Sequence, residues 1–298
     1  MSKRVRKAII TDAGFASRYL PITKTVPKAM LPLGNKPVMQ FVVEECVQAG
    51  IEEIIIVATP EGKPIYEDYF NNSVNRIRKQ LASQGKDDRY APVQEILDFP
   101  KIVVIEQDPS LPYGNGSPIA SARNFLMKEE AFLALYSDDV VFGEEGAAKA
   151  LIDAYEADPS AEAVVAVQEV PGAEIEKYAS VKFKKGSKVE METMIEKPKE
   201  AEAPSQLASY GRYLLKPSIF QYLTPENTGK DAELWTADAI DRVARSGKKV
   251  LVAEAKGRWW TTGDPANYFM AHLKYVLDNE SYAKEVCEAV NACHVSEK

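Results

Sequence analysis

The stretch Asp12-Ala13-Gly14-Phe15-Ala16-Ser17-Arg18 follows a short apolar run, KAIIT at 7–11, and opens a loop rich in lysine and proline that extends to Pro37. Small residues in a loop leaving the first strand of a parallel sheet let backbone N–H groups turn toward phosphate. Arg18 adds a planar, permanent cation suited to bidentate phosphate contact. Lys24 and Lys28 bring further positive charge into an acidic protein. Gly14 alone is more simply a turn residue; its company of Arg18 and Lys28 just after the strand is what points to phosphate. The spacing matches neither the dinucleotide fingerprint nor the GKS/T phosphate loop, which weighs against hydride transfer and P-loop ATPase chemistry.

Other chemistry-bearing residues have plainer readings. Trp259 and Trp260 are either packing at the core and its rim or a base-stacking platform. Tyr66, Tyr69 and Phe70, at helical spacing, are most simply a packed stripe, and Asp238 reads as support for a loop or helix start. Lys184-Lys185 and Lys197-Pro198-Lys199 are compatible with solvated charge. Cys46, Cys287 and Cys293 are too few and too badly spaced for a disulfide framework or zinc site, and two histidines, both near the C-terminus, argue against a His-based metal site or triad. A reducing cytoplasm is the expected location.

The elements that must position these residues follow from periodicity. Buried strands are expected at 7–11, 53–58, 101–105, 132–136 and 163–167, each a β-branched-rich run bounded by polar or Gly/Pro punctuation. Helices are expected between them at 38–49, 64–81, 118–127 and 146–157, the first starting beside Pro37. That alternation implies right-handed crossovers and a Rossmann-like, mainly parallel sheet flanked by helices, with ligands at the carboxyl ends of the strands. After about Glu169 the pattern changes to a small additional β portion. A hairpin of 181–183 and 189–195 turns at Lys185-Gly186-Ser187, followed by strands at 210–215 and 250–255 and a helical segment from 265 to 279.

Composition bounds the function. The chain has 298 residues, 37 Lys+Arg against 44 Asp+Glu and a formal charge of −7, with 45% hydrophobic residues. This is a globular balance able to bury a sizeable core, and its mild acidity argues against a nucleic-acid partner. No window approaches the roughly 18 apolar residues of a membrane span. The opening MSKRVRKAII reads as the approach to a first strand rather than a signal peptide.

The segment 12–40, DAGFASRYLPITKTVPKAMLPLGNKPVMQ, resembles the opening of bacterial UTP–glucose-1-phosphate uridylyltransferases, which reads AAG, an apolar residue, GTR, then LPATK, IPKEMLP and KPLIQ. Further motifs follow in order along essentially the whole chain. Glu44-Glu45 with Gly50-Ile51 resembles the family's first-helix ending, and Gln107 with Gly114-Asn115-Gly116 its Gln and GLGHA segment. Ser137-Asp138-Asp139 resembles its PDD, Glu196-Lys197-Pro198 its EKP, and Tyr210-Gly211-Arg212-Tyr213 its VGRY. LWTADAI at 234–240 resembles QLTDAI, and Thr262-Gly263-Asp264 the end of D-T-G-D.

The resemblance implies transfer of UMP from UTP to a sugar 1-phosphate, glucose 1-phosphate by default, with Mg2+ as cofactor. Such a reaction asks the protein to hold two repelling anions in line and neutralise the charge between them, which suits Arg, Lys and a metal carboxylate rather than a Ser/His pair. By the same resemblance Ala13, Gly14, Gln107 and Gly114 meet the uracil, and Arg18 and Lys28 hold the triphosphate. Lys197 bridges the two phosphates, Glu196 and Ala179 face the sugar, and Asp138, which also contacts the nucleotide, binds the metal. Asp139 points away. The implied organisation is a single domain over 1–298: a nucleotide-binding core at 1–168, a sugar-binding part at 169–264, and a helical segment at 265–298. That segment either packs on its own chain or forms the contact of a homo-oligomer, a dimer or tetramer.

Departures from the family pattern temper this expectation. Gly-Thr of GTR is Ala16-Ser17, and Ala16 is expected to shift the loop because a Cβ disfavours positive φ. Ala179 follows Tyr178 where the family has glycine and is expected to crowd the sugar; Ala29 replaces a glutamate and Ser117 a histidine. Thr261 stands where the family has a second metal-binding aspartate, with Asp264 a possible substitute. These changes also suit a catalytically weak paralogue that binds nucleotide and regulates an active partner, or one acting on a different sugar or nucleotide.

Overall fold

A computed structural model describes residues 5–292, with side chains of the last helix at 283–289. The chain runs β1 (Lys7–Asp12), a loop of short 3-10 turns, the ribbon β2 (Pro32–Leu33) and β3 (Lys36–Pro37), then helix α1 (Val38–Gln48). Next come β4 (Glu53–Ala58), α2 (Lys63–Asn71), α3 (Asn75–Ser83), α4 (Ala91–Leu97) and β5 (Lys101–Glu106). They are followed by α5 (Gly116–Ser121), α6 (Arg123–Leu126), β6 (Phe132–Tyr136), β7 (Asp139–Phe142), α7 (Ala147–Ala157) and β8 (Ala163–Glu169). The second half adds β9 (Ala179–Phe183), β10 (Met191–Glu196), β11 (Leu207–Leu215), α8 (Thr236–Arg245), β12 (Val250–Glu254), β13 (Arg258–Thr261), α9 (Pro265–Asp278) and α10 (Glu280–Ala292).

The main sheet has the order β10-β9-β11-β6-β1-β4-β5, and β8 and β12 branch from β11. Its β6-β1-β4-β5 half is parallel, as the strand–helix alternation implies. β11 joins it antiparallel to β6 and carries the antiparallel β9–β10 hairpin. Alternate residues of the central strands feed opposite faces. Ala8, Ile10, Ile54 and Ile56 pack with α1 and α7, whereas Ile9, Ile55, Val57 and Phe132 pack with α5, α6 and α8.

Two helical readings are corrected. The span 64–81 is not one helix: Asn72 is extended (φ −110°, ψ 128°), and the Val74 N–H donates to the Tyr90 hydroxyl at 2.9 Å instead of continuing the ladder. None of α3 is buried, so its apolar spacing reports no core contact. The span 118–127 begins earlier, at Gly116, and divides at Ala122. The second hairpin strand begins at Met191 rather than Val189, whose carbonyl accepts from Val252 N–H at 2.8 Å while its side chain is exposed.

Periodicity missed the β2–β3 ribbon, α4 and, most important for the site, the β13–β7 ribbon. The last of these pairs Thr261 with Asp139 and thereby returns residues 261–264 to the end of β6. Gly211 allows a second close approach, because a Cβ there would lie 2.2 Å from the Tyr136 ring. In α9, Ala271 is buried, Tyr275 packs edge-on against Phe41, and the Tyr268 hydroxyl donates to Pro32 O at 2.5 Å. Phe269, Met270, Leu273 and Leu277 face outward, exposed. Among the described residues, no helix is long and apolar enough to cross a membrane.

Candidate active site

β1 and β6 run parallel side by side and end at Asp12 and Tyr136, and two adjoining cavities open at these carboxyl ends. The one beneath the first loop has a volume of about 430 Å3 and is lined by Ala13, Gly14, Lys28, Gln107, Gly114 and Trp235, among others. The one beside the β9–β10 hairpin has a volume of about 550 Å3, and Ala179, Glu196, Tyr210 and Thr261 are in its wall. Arg18, Asp138 and Lys197 line both. Every site residue expected from the sequence therefore lies on this double cavity.

The first loop makes a left-handed turn at Ala16 despite the Cβ there. Ala16 adopts φ 47°, ψ 39°, a strained conformation for a residue with a Cβ, so the positive φ that alanine disfavours is adopted all the same. The loop is fastened from across the chain: the Tyr19 hydroxyl donates to Thr262 O at 2.6 Å, and Arg18 Nη1 lies 3.5 Å from Gly263 O. Asp12, buried at the end of β1, accepts from Ser137 Oγ at 2.6 Å and from the Tyr66 hydroxyl. Tyr66 is thus more than one member of a packed stripe. Burial raises the Asp12 carboxyl, with Lys28 and the Ser137 hydrogen bond opposing.

Asp138 lies just beyond β6. Lys28 Nζ donates to its Oδ2 at 2.5 Å. Burial is the strongest influence and works to raise this carboxyl, but Lys28, a backbone hydrogen bond and Arg212 together hold the group below its ordinary range. Thr262 fixes the Asp138 backbone, donating from N–H at 2.6 Å and from Oγ1 at 2.9 Å to the carbonyl oxygen. Asp139 is buried, its carboxylate accepting from Trp259 Nε1 at 2.7 Å, yet it also lines the cavity beside the hairpin rather than pointing away from it; burial, reinforced by Asp138, pushes it up to about 7. Trp259 itself stacks on Tyr210, which settles it as packing.

The donor set suits a cation held by one protein carboxylate. Asp138 lines both cavities and needs a positive partner, which Lys28 supplies here. Thr261 offers a hydroxyl, and that oxygen accepts from Gly263 N–H at 3.1 Å. Asp264 caps α9, its two oxygens accepting from Asn267 N at 3.0 Å and Asn267 Nδ2 at 2.6 Å, so it does not take the place of the missing aspartate. Among the described residues no cluster of three His, Cys, Asp or Glu could hold a metal alone. A magnesium-like ion tolerates one carboxylate when phosphate oxygens and water complete its shell.

Glu196 and Ala179 face each other across the β9–β10 pair, and Lys197 N–H donates to Tyr178 O at 3.1 Å. Ala179 forms part of the wall without closing the space. Burial raises the Glu196 carboxyl to about 7, only partly opposed by Lys197, whose Nζ is 3.7 Å away.

Three contributors entered the sequence reading only as members of motifs, with no role of their own. Asn115 lines both cavities and accepts from Thr236 N–H at 2.8 Å, tying the 114–116 loop to α8. Trp235 walls the loop cavity. The buried guanidinium of Arg212 donates to Asp139 O at 2.6 Å and Tyr136 O at 3.0 Å, gripping the backbone on both sides of Asp138. Only a charged residue inside an apolar strand, Arg212, left a signal for such a role. Ser117, which stands where the family has a histidine, closes its own loop by donating to Pro112 O.

Comparison with known proteins follows the same lines. The nucleotidyl transferase family profile matches residues 7–277. A protein of Staphylococcus saprophyticus named UTP–glucose-1-phosphate uridylyltransferase 2 is 37% identical over 292 residues, covering 97% of this chain and 98% of that one. A UTP–glucose-1-phosphate uridylyltransferase of Staphylococcus epidermidis is 36% identical over 286 residues, covering 95% and 96%. A UDP-glucose pyrophosphorylase complexed with UDP-glucose superposes with a TM-score of 0.80 at 30% identity, covering 93% of this chain and 100% of that one. A UTP-bound enzyme of the same kind from Acinetobacter baumannii gives 0.84 at 27% identity, covering 98% and 100%.

Proposed function

The chain belongs to the nucleotidyl transferase family, and we propose that it transfers UMP from UTP to glucose 1-phosphate, giving UDP-glucose and pyrophosphate. The observation that carries this reading is the position of Arg18, Asp138 and Lys197 on the shared wall of two adjoining cavities. One cavity suits the nucleotide and the other the sugar phosphate, with cations and a carboxylate where the two anions meet.

In this reading a phosphate oxygen of the sugar 1-phosphate attacks the α-phosphorus of UTP, and the bond to the β-phosphate oxygen breaks. Ala13 and Gly14 offer backbone groups to uracil, and Gln107 and Gly114 read its edge. Arg18 and Lys28 bind the triphosphate, while Lys197 draws the two phosphates together and offsets their repulsion. Glu196 accepts from sugar hydroxyls, beside Ala179. Asp138 holds a divalent cation, magnesium in our assignment, which neutralises phosphate charge when bound.

The same reading divides the chain into a nucleotide core at 1–168, a sugar part at 169–264 and a C-terminal segment from 265, helical over its described residues to Ala292. The exposed apolar side of α9 supports a homo-oligomer, and a reducing cytoplasm is the assigned location. Pyrophosphate release from UTP and a panel of sugar 1-phosphates, with and without magnesium, tests the activity. Magnesium-dependent release with glucose 1-phosphate supports it; bound UTP with no release across the panel points to a regulatory paralogue.

A further inference from the structure

Lys197 carries its ammonium on a flexible four-carbon stem, and its side chain is 41% exposed. Its charge nevertheless has a defined seat. The Nζ lies 4.2 Å from the centroid of the Trp235 ring, within the range of an effective cation–π contact. The backbone contributes as well, because Lys197 is held at φ 43°. The nearest acid, Glu196, is 3.7 Å away and raised by burial, so it gives the ammonium a weaker electrostatic partner than an ordinary carboxylate would.

Trp235 is itself firmly placed. It is 8% exposed, and its Nε1 donates to Lys230 O at 3.0 Å. Both neighbours are fastened to the 113–116 loop: Leu234 N–H donates to Tyr113 O at 2.7 Å, Gly116 N–H to Leu234 O at 2.8 Å, and Thr236 N–H to Asn115 Oδ1 at 2.8 Å. Gly114, at φ 132°, permits this contact, since a Cβ there would lie 2.4 Å from Leu234 O. The ring is therefore attached to the wall of the loop cavity and presented to a lysine from the hairpin at the boundary of the second cavity.

We infer that Trp235 is a positioning residue for Lys197: its ring face holds the ammonium at the junction of the two cavities before substrates arrive. This rests on the transferase reading given above. Without the ring, the stem samples other rotamers and the cation must be ordered at the cost of the reaction barrier. With it, the charge is in place when the two phosphates meet. The contact is specific to a π-face, so an apolar side chain of similar bulk fills the space without performing the task.

The test compares Trp235→Leu and Trp235→Phe in the full-length protein, with thermal melts and far-UV spectra establishing that each folds. At saturating UTP and glucose 1-phosphate, Trp235→Leu is expected to lower kcat by about 5- to 30-fold, while the UTP dissociation constant changes by less than about threefold. Trp235→Phe is expected to restore most of kcat. Combining Trp235→Leu with Lys197→Met is expected to give no further loss beyond Lys197→Met alone. Unchanged kcat in Trp235→Leu, a loss confined to UTP affinity, or full additivity with Lys197→Met would each overturn the inference.

A readout independent of turnover separates this inference from the transferase reading. After reductive methylation with 13C-formaldehyde, the Lys197 methyl resonance is expected upfield from ring current in the wild type and in Trp235→Phe, and unshifted in Trp235→Leu. A wild-type resonance at the position of free lysines contradicts the contact, whatever the enzyme's activity. Wild-type turnover reports on the transferase reading by itself.

Discussion

Arg212 and Glu45, 167 residues apart in the chain, form a buried ion pair with Nη2 and Oε2 at 3.0 Å. Glu45 lies on α1 and Arg212 on β11, so the pair locks the parallel half of the fold to the antiparallel half. The same guanidinium donates to the carbonyl oxygens of Tyr136 and Asp139. The carboxylate also accepts from Ala148 N–H at 2.9 Å, at the start of α7. One ion pair thus ties two helices and the segment carrying Asp138 into a unit.

Glu45→Ala leaves the Arg212 charge buried without its counter-ion and is expected to destabilise the fold by about 3–5 kcal/mol. Urea unfolding followed by circular dichroism measures this. A loss below about 1 kcal/mol would show that the pair is dispensable.

Much of this framework could be anticipated and some could not. The strands at 53–58 and 132–136 fall where β-branched and apolar runs put them, because a strand buried on both faces leaves a continuous hydrophobic signature. The break between α2 and α3 left none, since it depends on Tyr90 capturing the Val74 N–H. The Arg212–Glu45 and Lys197–Trp235 contacts are products of topology, and no local pattern encodes a partner on a distant element. Ala16 shows the limit of local reasoning in another way: its Cβ disfavours positive φ, yet the residue adopts a left-handed turn in a loop fastened through Tyr19 and Thr262.

Arg18→Ala and Lys197→Ala are each expected to reduce kcat/KM by roughly two or more orders of magnitude, because each removes a cation from the place where phosphate charge accumulates. Steady-state kinetics with the pyrophosphate-release assay measures the loss. Near-normal rates in either variant would remove that residue from the mechanism.

Thr261→Asp returns a carboxylate to the wall near Asp138 and is expected to lower the magnesium concentration that gives half-maximal turnover, or to raise turnover itself. Manganese titration followed by electron paramagnetic resonance reads the affinity without reference to activity. No change in either quantity would mean that Asp138 with phosphate and water suffices.

Glu196 supplies a pH dependence. Its carboxyl is raised by burial from 4.5 to about 7 in the folded protein, so the native state holds this proton more tightly than the unfolded chain. The stability it contributes is complete below about pH 4.5 and is lost as pH rises through about 7. Glu196→Gln is expected to flatten that part of the stability profile. Because the ionised carboxylate is the stronger acceptor for sugar hydroxyls, the KM for glucose 1-phosphate is expected to fall across the same interval in the wild type. The difference between wild-type and Glu196→Gln profiles isolates this group from the titrating phosphates. Parallel profiles would exclude it.

The central claim is that UMP passes from UTP to the sugar phosphate at the junction marked by Arg18, Asp138 and Lys197. Rapid-quench analysis with UTP labelled at the α-phosphate, glucose 1-phosphate and magnesium tests it most directly. The account predicts that label appears in UDP-glucose with one pyrophosphate released per transfer, and that Lys197→Ala abolishes this phase while still binding UTP. Label appearing as free UMP, or remaining in bound UTP in the wild type, would contradict it.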